Sequence, residues 1–348
     1  MRIVRPISVT NTNLLSSNVP ETPPAAYDAG ATYALDALVS VLTGTVAIVY
    51  RSLQAGNTGN TPGSSPDWWL ALGTAYLAYD SGTTYALDDI VFSAATNHTY
   101  QSLQAANTGH ALDDPSWWLD LGPTNRYRMF DQANSSQTTN AESIIVEVQV
   151  TGRADAVSLL NIAGASAQVV AETVEDGEIY NETFNLVSPS GINDWYQYFF
   201  EPIVRQGDLT VYDLPLNANP VITVTLIEPG ATAKIGSLVI GQSQFLGDTI
   251  HPAKLGIQDF SRKETDEFGN FTIIERSFAR RATFKVAIDE ARMDAISTAL
   301  TNYRAEAIVW LGVDSYASSW IYGFYRDWEF DLSAPEETYL NIELEGLT

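Results

Sequence analysis

Cysteine is absent from this chain. Disulfides, thiolate metal centres and a cysteine nucleophile are therefore excluded. Histidine is scarce: His98, His110 and His251 are the full set. They lack metal-ligand spacing, which argues against a zinc site. Cations are also few, with 18 Lys and Arg against 42 Asp and Glu and a net charge of −24. No basic stripe exists for DNA or RNA, and anionic membrane surfaces are repelled. No apolar run is long enough to cross a bilayer. The N-terminal Met1-Arg-Ile-Val-Arg-Pro-Ile-Ser-Val lacks the continuous apolar segment of a signal peptide. A Gly-x-Ser-x-Gly elbow and a phosphate-cradling Gly-x-x-x-x-Gly-Lys loop are both missing. Asp259 to Asn270 is rich in carboxylates but lacks the alternating ligands and late Glu of a calcium loop. Among 42 acidic residues, no two are marked as a glycosidase acid and nucleophile. The expectation is a chain without catalytic residues, metal or cofactor.

What is present is repetition. Tyr27-Asp-Ala-Gly-Ala-Thr-Tyr-Ala-Leu-Asp36 returns as Tyr79-Asp-Ser-Gly-Thr-Thr-Tyr-Ala-Leu-Asp88. Tyr50-Arg-Ser-Leu-Gln-Ala-Gly-Asn-Thr-Gly59 returns as Tyr100-Gln-Ser-Leu-Gln-Ala-Ala-Asn-Thr-Gly109. Pro66-Asp-Trp-Trp-Leu-Ala-Leu-Gly73 returns as Pro115-Ser-Trp-Trp-Leu-Asp-Leu-Gly122. The residues that survive between the copies are aromatic, Gly, Asn and Asp, which suits a binding surface better than a catalytic centre. Each copy is under 50 residues and has no disulfide, so its Trp and Tyr must also supply its own small core.

The patterning predicts a mainly β, multi-domain chain. Residues 1–24 read as an extended arm. Ile3, Val4, Ile7 and Val9 are β-formers, Pro6 limits them to an edge position, and docking on a neighbouring subunit is weighed against fraying. Residues 25–73 and 76–122 are two small β repeats. Residues 123–250 read as a β-sandwich of jelly-roll type, with strands at Ser143–Val150, Gln168–Ala171, Asn181–Leu186, Val221–Ile227 and Ile235–Ile240 and a turn at Pro229-Gly230. The cluster Trp195-Tyr-Gln-Tyr-Phe-Phe200 is assigned to the sandwich core at an inter-sheet corner. Residues 251–348 read as an α+β assembly domain. Its one main helix spans about 290–303, with Asp289 as cap and Met293, Ile296, Leu300 and Tyr303 as the apolar stripe.

The repeat resembles a chitin-binding-type carbohydrate-binding module of family 5/12. The residues that carry the resemblance are Tyr33, Asp36, Val39, Tyr50 and Trp68-Trp69, and again Tyr85, Asp88, Val91, Tyr100 and Trp117-Trp118. Leu35 and Leu87 stand where that family has Gly. The wider layout is similar to a family of tailed-bacteriophage and prophage proteins from the tail or baseplate region. The segments concerned are Arg2-Ile-Val-Arg-Pro6, Ser16-Ser-Asn-Val-Pro-Glu21, Arg128-Met-Phe-Asp131, Gly256-Ile-Gln-Asp-Phe-Ser-Arg-Lys263, Asp266-Glu-Phe-Gly269 and Tyr322-Gly-Phe-Tyr-Arg-Asp327. That resemblance implies a galactose-binding-like jelly roll and a virion component made in a host cytoplasm. The implied partners are other tail or baseplate proteins, copies of itself in a symmetric homo-oligomer, and host-surface polysaccharide. The site residues it implies are Tyr33, Tyr50, Trp68, Trp69, Tyr85, Tyr100, Trp117 and Trp118, with one Trp of each pair inside. Two other readings stand beside it: a structural adaptor whose sugar-binding folds serve packing, and the targeting subunit of a polysaccharide hydrolase.

Overall fold

The computed structural model describes residues 1–187, 194–200, 204–265, 268–313, 316–332 and 338–347. The chain is mainly β. No helix among the described residues is long and apolar enough to cross a membrane.

Both repeats fold the same way. In the first, Leu38–Thr43, Val46–Ser52 and Trp69–Tyr76 form a three-stranded antiparallel sheet, and Thr32–Tyr33 pairs with Asn57–Thr58. In the second, Ile90–Ser93, His98–Ser102 and Trp118–Pro123 form the sheet, and Thr84–Tyr85 pairs with Asn107–Thr108. The strand order is identical. Even the left-handed backbone positions coincide, at Asp36 and Asp88 and at Gly59 and Gly109. The turn residues that recur in the sequence therefore recur because the same backbone has to be closed twice.

The larger part of the molecule is one 13-stranded sheet system. In its sandwich portion, Thr138–Gln149 pairs with Val221–Phe245, and Ser166–Thr173 lies on the other side of the same strand. Ile144, Val146 and Val148 point inward with Val169, Ile222, Val224 and Leu226 to fill an aliphatic core. The two strands expected on either side of Pro229-Gly230 are one 25-residue strand, Val221–Phe245. Its ladder to Thr138–Gln149 runs on at both ends, and 228–231 loops out as a bulge with Gly230 at φ 72°. A turn signal opposite a continuing partner strand makes a bulge and not a reversal. The strand Ala156–Ala163, apolar except for Ser158 and Asn161 and without a strict alternation, escapes period-2 reading because nearly all of it is buried.

Two further expectations are corrected. Trp195–Phe200 is not in the sandwich core. It forms a short helix on the connection after Gly177–Asn185, with Trp195 77% exposed and Tyr196, Phe199 and Phe200 also exposed. Aliphatic side chains already occupy the space between the layers.

The N-terminal segment is not an edge strand reaching for a neighbour. Arg2–Pro6 lies between Val221–Phe245 and Ile308–Leu311 and is paired on both sides. Ile3 enters the core of the C-terminal unit, and Val4 enters a second cluster with Ala156, Leu160, Val239 and Val309. Consecutive apolar residues buried on opposite faces mark a central strand, worth about 1.5–3 kcal/mol per side chain. Pro6 is tolerated because it is the last residue of the ladder, opposite Gly241. Gly241 in turn is required: an added Cβ would meet the Arg5 carbonyl oxygen at 1.8 Å.

The C-terminal unit follows its patterning. Asp289 accepts a hydrogen bond from the Ala291 amide, and a 3-10 turn, Glu290–Arg292, leads into the helix Met293–Asn302. Ile296 and Leu300 are buried under Trp310 and Phe284. Phe278–Ile288, Trp320–Asp331 and Thr338–Gly346 supply its strands.

Candidate functional site

Each repeat builds a miniature core from the aromatics that its sequence repeats. Tyr27, Tyr33, Val39, Tyr50, Trp68 and Trp69 pack together in the first. Tyr79, Tyr85, Val91, Tyr100, Trp117 and Trp118 pack together in the second, with Leu112. Tyr33 meets Trp69 edge-on at 5.2 Å, and Tyr85 meets Trp118 at 5.3 Å. Tyr27 stacks on Tyr33 at 5.9 Å, and Tyr79 on Tyr85 at 6.0 Å. These offset and edge-to-face contacts contribute beyond the area they bury. Tyr27 and Tyr79 belong to this cluster although they were not among the eight expected site residues; their place at the head of each repeated motif was the available signal.

The recurring polar residues have structural partners. The Asn57 amide donates to Ser52 Oγ at 3.0 Å, and Asn107 donates to Ser102 Oγ at 3.0 Å. Ser52 donates to the Gln54 carbonyl, and Ser102 to that of Gln104. Gln54 and Gln104 reach across to the carbonyls of Asp67 and Ser116. The Tyr33 hydroxyl accepts from the Asp28 amide at 2.7 Å, as Tyr85 does from Asp80 at 2.8 Å. Leaving a buried donor or acceptor unpaired is costly, and these bonds satisfy most of the repeated polar groups, the Tyr27 hydroxyl and Asn107 Oδ1 excepted. The Ser-Leu-Gln-Ala-x-Asn-Thr-Gly motif is thus a loop brace first.

Of the eight expected site residues, Trp69 and Trp118 are 4% and 3% exposed, and Tyr50, Tyr85 and Tyr100 are also buried. Their ring faces are used by the repeat itself. Trp69 and Trp118 each donate an indole N–H to a loop carbonyl, that of Asn60 and that of His110. Tyr33, Trp68 and Trp117 are half-exposed. Each Trp pair therefore has one inner and one outer member. The outer members differ in setting. His110 stacks flat on Trp117, with centroids 3.7 Å apart and planes 9° apart. Asn60 holds the equivalent position in the first repeat, so Trp68 has no ring over it there.

Apart from Arg51, every charged Asp, Glu, Lys or Arg within the two repeats is acidic. Arg51 lies 3.7 Å from Asp36 and bonds Glu142 of the sandwich, whereas Gln101 bonds Asp88 in the second copy. Burial, then Tyr85 and Asp80, raise the Tyr79 phenol above its ordinary value, so it stays a neutral donor to the His110 carbonyl. No cluster of His, Asp and Glu suited to a metal ion occurs among the described residues. The arrangement can offer a ring face and neutral hydrogen-bonding groups to an uncharged polar ligand. No known protein family, curated protein or solved structure matches the chain.

Proposed function

We propose that this chain is a structural component of a bacteriophage tail or baseplate that presents two carbohydrate-binding-type modules to host-surface polysaccharide. The observation that carries the reading is the duplicated Trp pair with one half-exposed member, Trp68 or Trp117, set on a preformed aromatic cluster. Sugars place their C–H faces on such rings, and nearby amide and carboxylate groups bond the hydroxyls. One ring supplies on the order of 1 kcal/mol, so a single repeat binds weakly, near millimolar, and tandem copies in a symmetric particle gain by avidity. The net charge of −24 favours uncharged glycans.

The test is to replace Trp68 and Trp117 with Ala, confirm the fold by circular dichroism, and measure binding to chitin and to isolated bacterial surface polysaccharides. Loss of binding in the folded double variant is expected. Unchanged binding defeats the proposal. The structural-adaptor reading has its own support, because five of the eight expected aromatics serve the repeats' cores. Under that reading no glycan binds either form.

A further inference from the structure

Strands of two units meet at one cleft. Ala156–Ala163 and its partner Asp208–Val211 come from the sandwich. Phe278–Ile288 and Trp320–Asp331 come from the C-terminal unit. Between them lies a cavity of about 200 Å³ whose lining includes Asn134, Asn161, Asp208, Phe278, Arg280 and Trp320. Asp208 and Arg280 are its only charged lining residues, so its charge is balanced. Asp208 is 6% exposed. It accepts from the Asn161 amide at 2.9 Å and from Arg280 Nη1 at 2.6 Å. The same Nη1 donates to the Trp320 carbonyl at 3.0 Å. A buried carboxylate needs such partners, and these bonds account for Asp208 and for one end of Arg280. The rest of the guanidinium is left over. Arg280 Nε and Nη2 have no partner among the described residues, and neither is shut off from solvent. Together they form one edge of the fork, the geometry that grips two oxygens at once.

Two asparagines are half-used in the same way. Asn161 Nδ2 donates to the Asn134 carbonyl at 2.7 Å, and Asn134 Oδ1 accepts from Ser237 at 3.3 Å. Asn161 Oδ1 and Asn134 Nδ2 bond nothing among the described residues and are open to solvent. The backbone fixes both. Asn161 sits at φ 52°, out of the ladder that pairs Leu160 with Ser237 and Ile162 with Ile235. Gly236, opposite it, lets Asn134 lie close: an added Cβ would meet the Asn134 carbonyl oxygen at 2.5 Å. Groups anchored at one end and open at the other are preorganised for a ligand. Here they are donors and an acceptor with no net charge. Hydroxyls, which donate and accept alike, match that set. Phe278, 51% exposed, and the half-buried Trp320 add ring surface for C–H faces. The cavity is smaller than the clefts of about 300–1,000 Å³ that hold drug-sized ligands, which limits the occupant to one ring.

We infer that this cleft binds a single uncharged sugar residue, with vicinal hydroxyls on the Nε–Nη2 edge of Arg280 and a further hydroxyl on Asn134 and Asn161. The site uses no residue of the repeats and does not rest on their reading. The test is saturation-transfer difference NMR on the full chain, as wild type and as Trp68→Ala with Trp117→Ala. The probes are the methyl glycosides of glucose, galactose, mannose and N-acetylglucosamine, with N-acetylneuraminic acid as the anionic comparator. At least one neutral glycoside should bind both chains, and the acid should not displace it. Arg280→Lys keeps a cation beside Asp208 but loses the fork, and should weaken this binding about tenfold. Phe278→Ala removes an exposed ring, leaves the fold intact and should weaken it severalfold. No binding of any of the four glycosides to the Trp68→Ala, Trp117→Ala chain overturns the inference, whatever the wild type does. Binding that neither cleft variant weakens, or displacement by the acid, overturns it equally.

Discussion

Gly56 and Ala106 occupy the same position in the two repeats, one residue before the buried Asn57 and Asn107. Both lie in the left-handed region, at φ 71° and φ 56°. The second repeat thus carries a strain that the first avoids. A Cβ added at Gly56 would meet no atom within 4 Å, so packing does not enter and only the backbone term remains. Placing an L-residue there costs about 1–2 kcal/mol. The smaller freedom of the unfolded chain returns about 0.4–1 kcal/mol. Gly56→Ala should therefore destabilise the first repeat by about 1 kcal/mol, and Ala106→Gly should stabilise the second by a similar amount. Because the chain has several units, one global melting midpoint would blur the effect. Hydrogen exchange on the intact protein reads each unit separately. The amides to follow are Leu53, which donates to the Trp68 carbonyl, and Leu103, which donates to that of Trp117. A change of ~1 kcal/mol is about fivefold in protection, since 1.4 kcal/mol is tenfold. Protection of Leu53 should fall in the first variant, and protection of Leu103 should rise in the second. A shift of both in the same direction would refute the backbone argument.

Three further outcomes are expected. Trp69→Ala and Trp118→Ala each remove the centre of a mini-core and should cost about 3–5 kcal/mol, enough to unfold that repeat locally, whereas Trp68→Ala should leave it folded; limited proteolysis distinguishes them. Gly241→Ala forces a Cβ onto the Arg5 carbonyl and should expel the N-terminal strand, read as loss of exchange protection at Ile3 and Val4. Burial, with Asp131 adding to it, pushes the Tyr322 phenol up to about 12. The folded chain holds this proton more tightly than the unfolded chain, whose tyrosine titrates near 10. The stability it contributes is therefore fully present below pH 10 and lost between pH 10 and about 12, a loss of order 2–3 kcal/mol. Tyr322→Phe should flatten the alkaline limb of denaturant midpoints; an unchanged limb would count against the assignment.

The sequence alone determined the local structure. Asp289 and the Ile296–Leu300 spacing specified the one main helix, because a cap and a 3.6-residue stripe are properties of a short segment. The repeated Asp and Gly specified two equal folds, because turns of positive φ favour those residues, as at Asp36 and Asp88 and at Gly59 and Gly109. Tertiary structure decided what pairs with what. Arg2–Pro6 reads as an arm until Ile308–Leu311, some 300 residues later, supplies its second partner. Pro229-Gly230 reads as a turn until the register of Thr138–Gln149 makes it a bulge. The inner and outer Trp of each repeat are adjacent in sequence and identical in type. Only the tertiary fold, in which Trp69 and Trp118 open strands that join the sheet while Trp68 and Trp117 stay in the turn before them, buries the first two and leaves the others half-exposed.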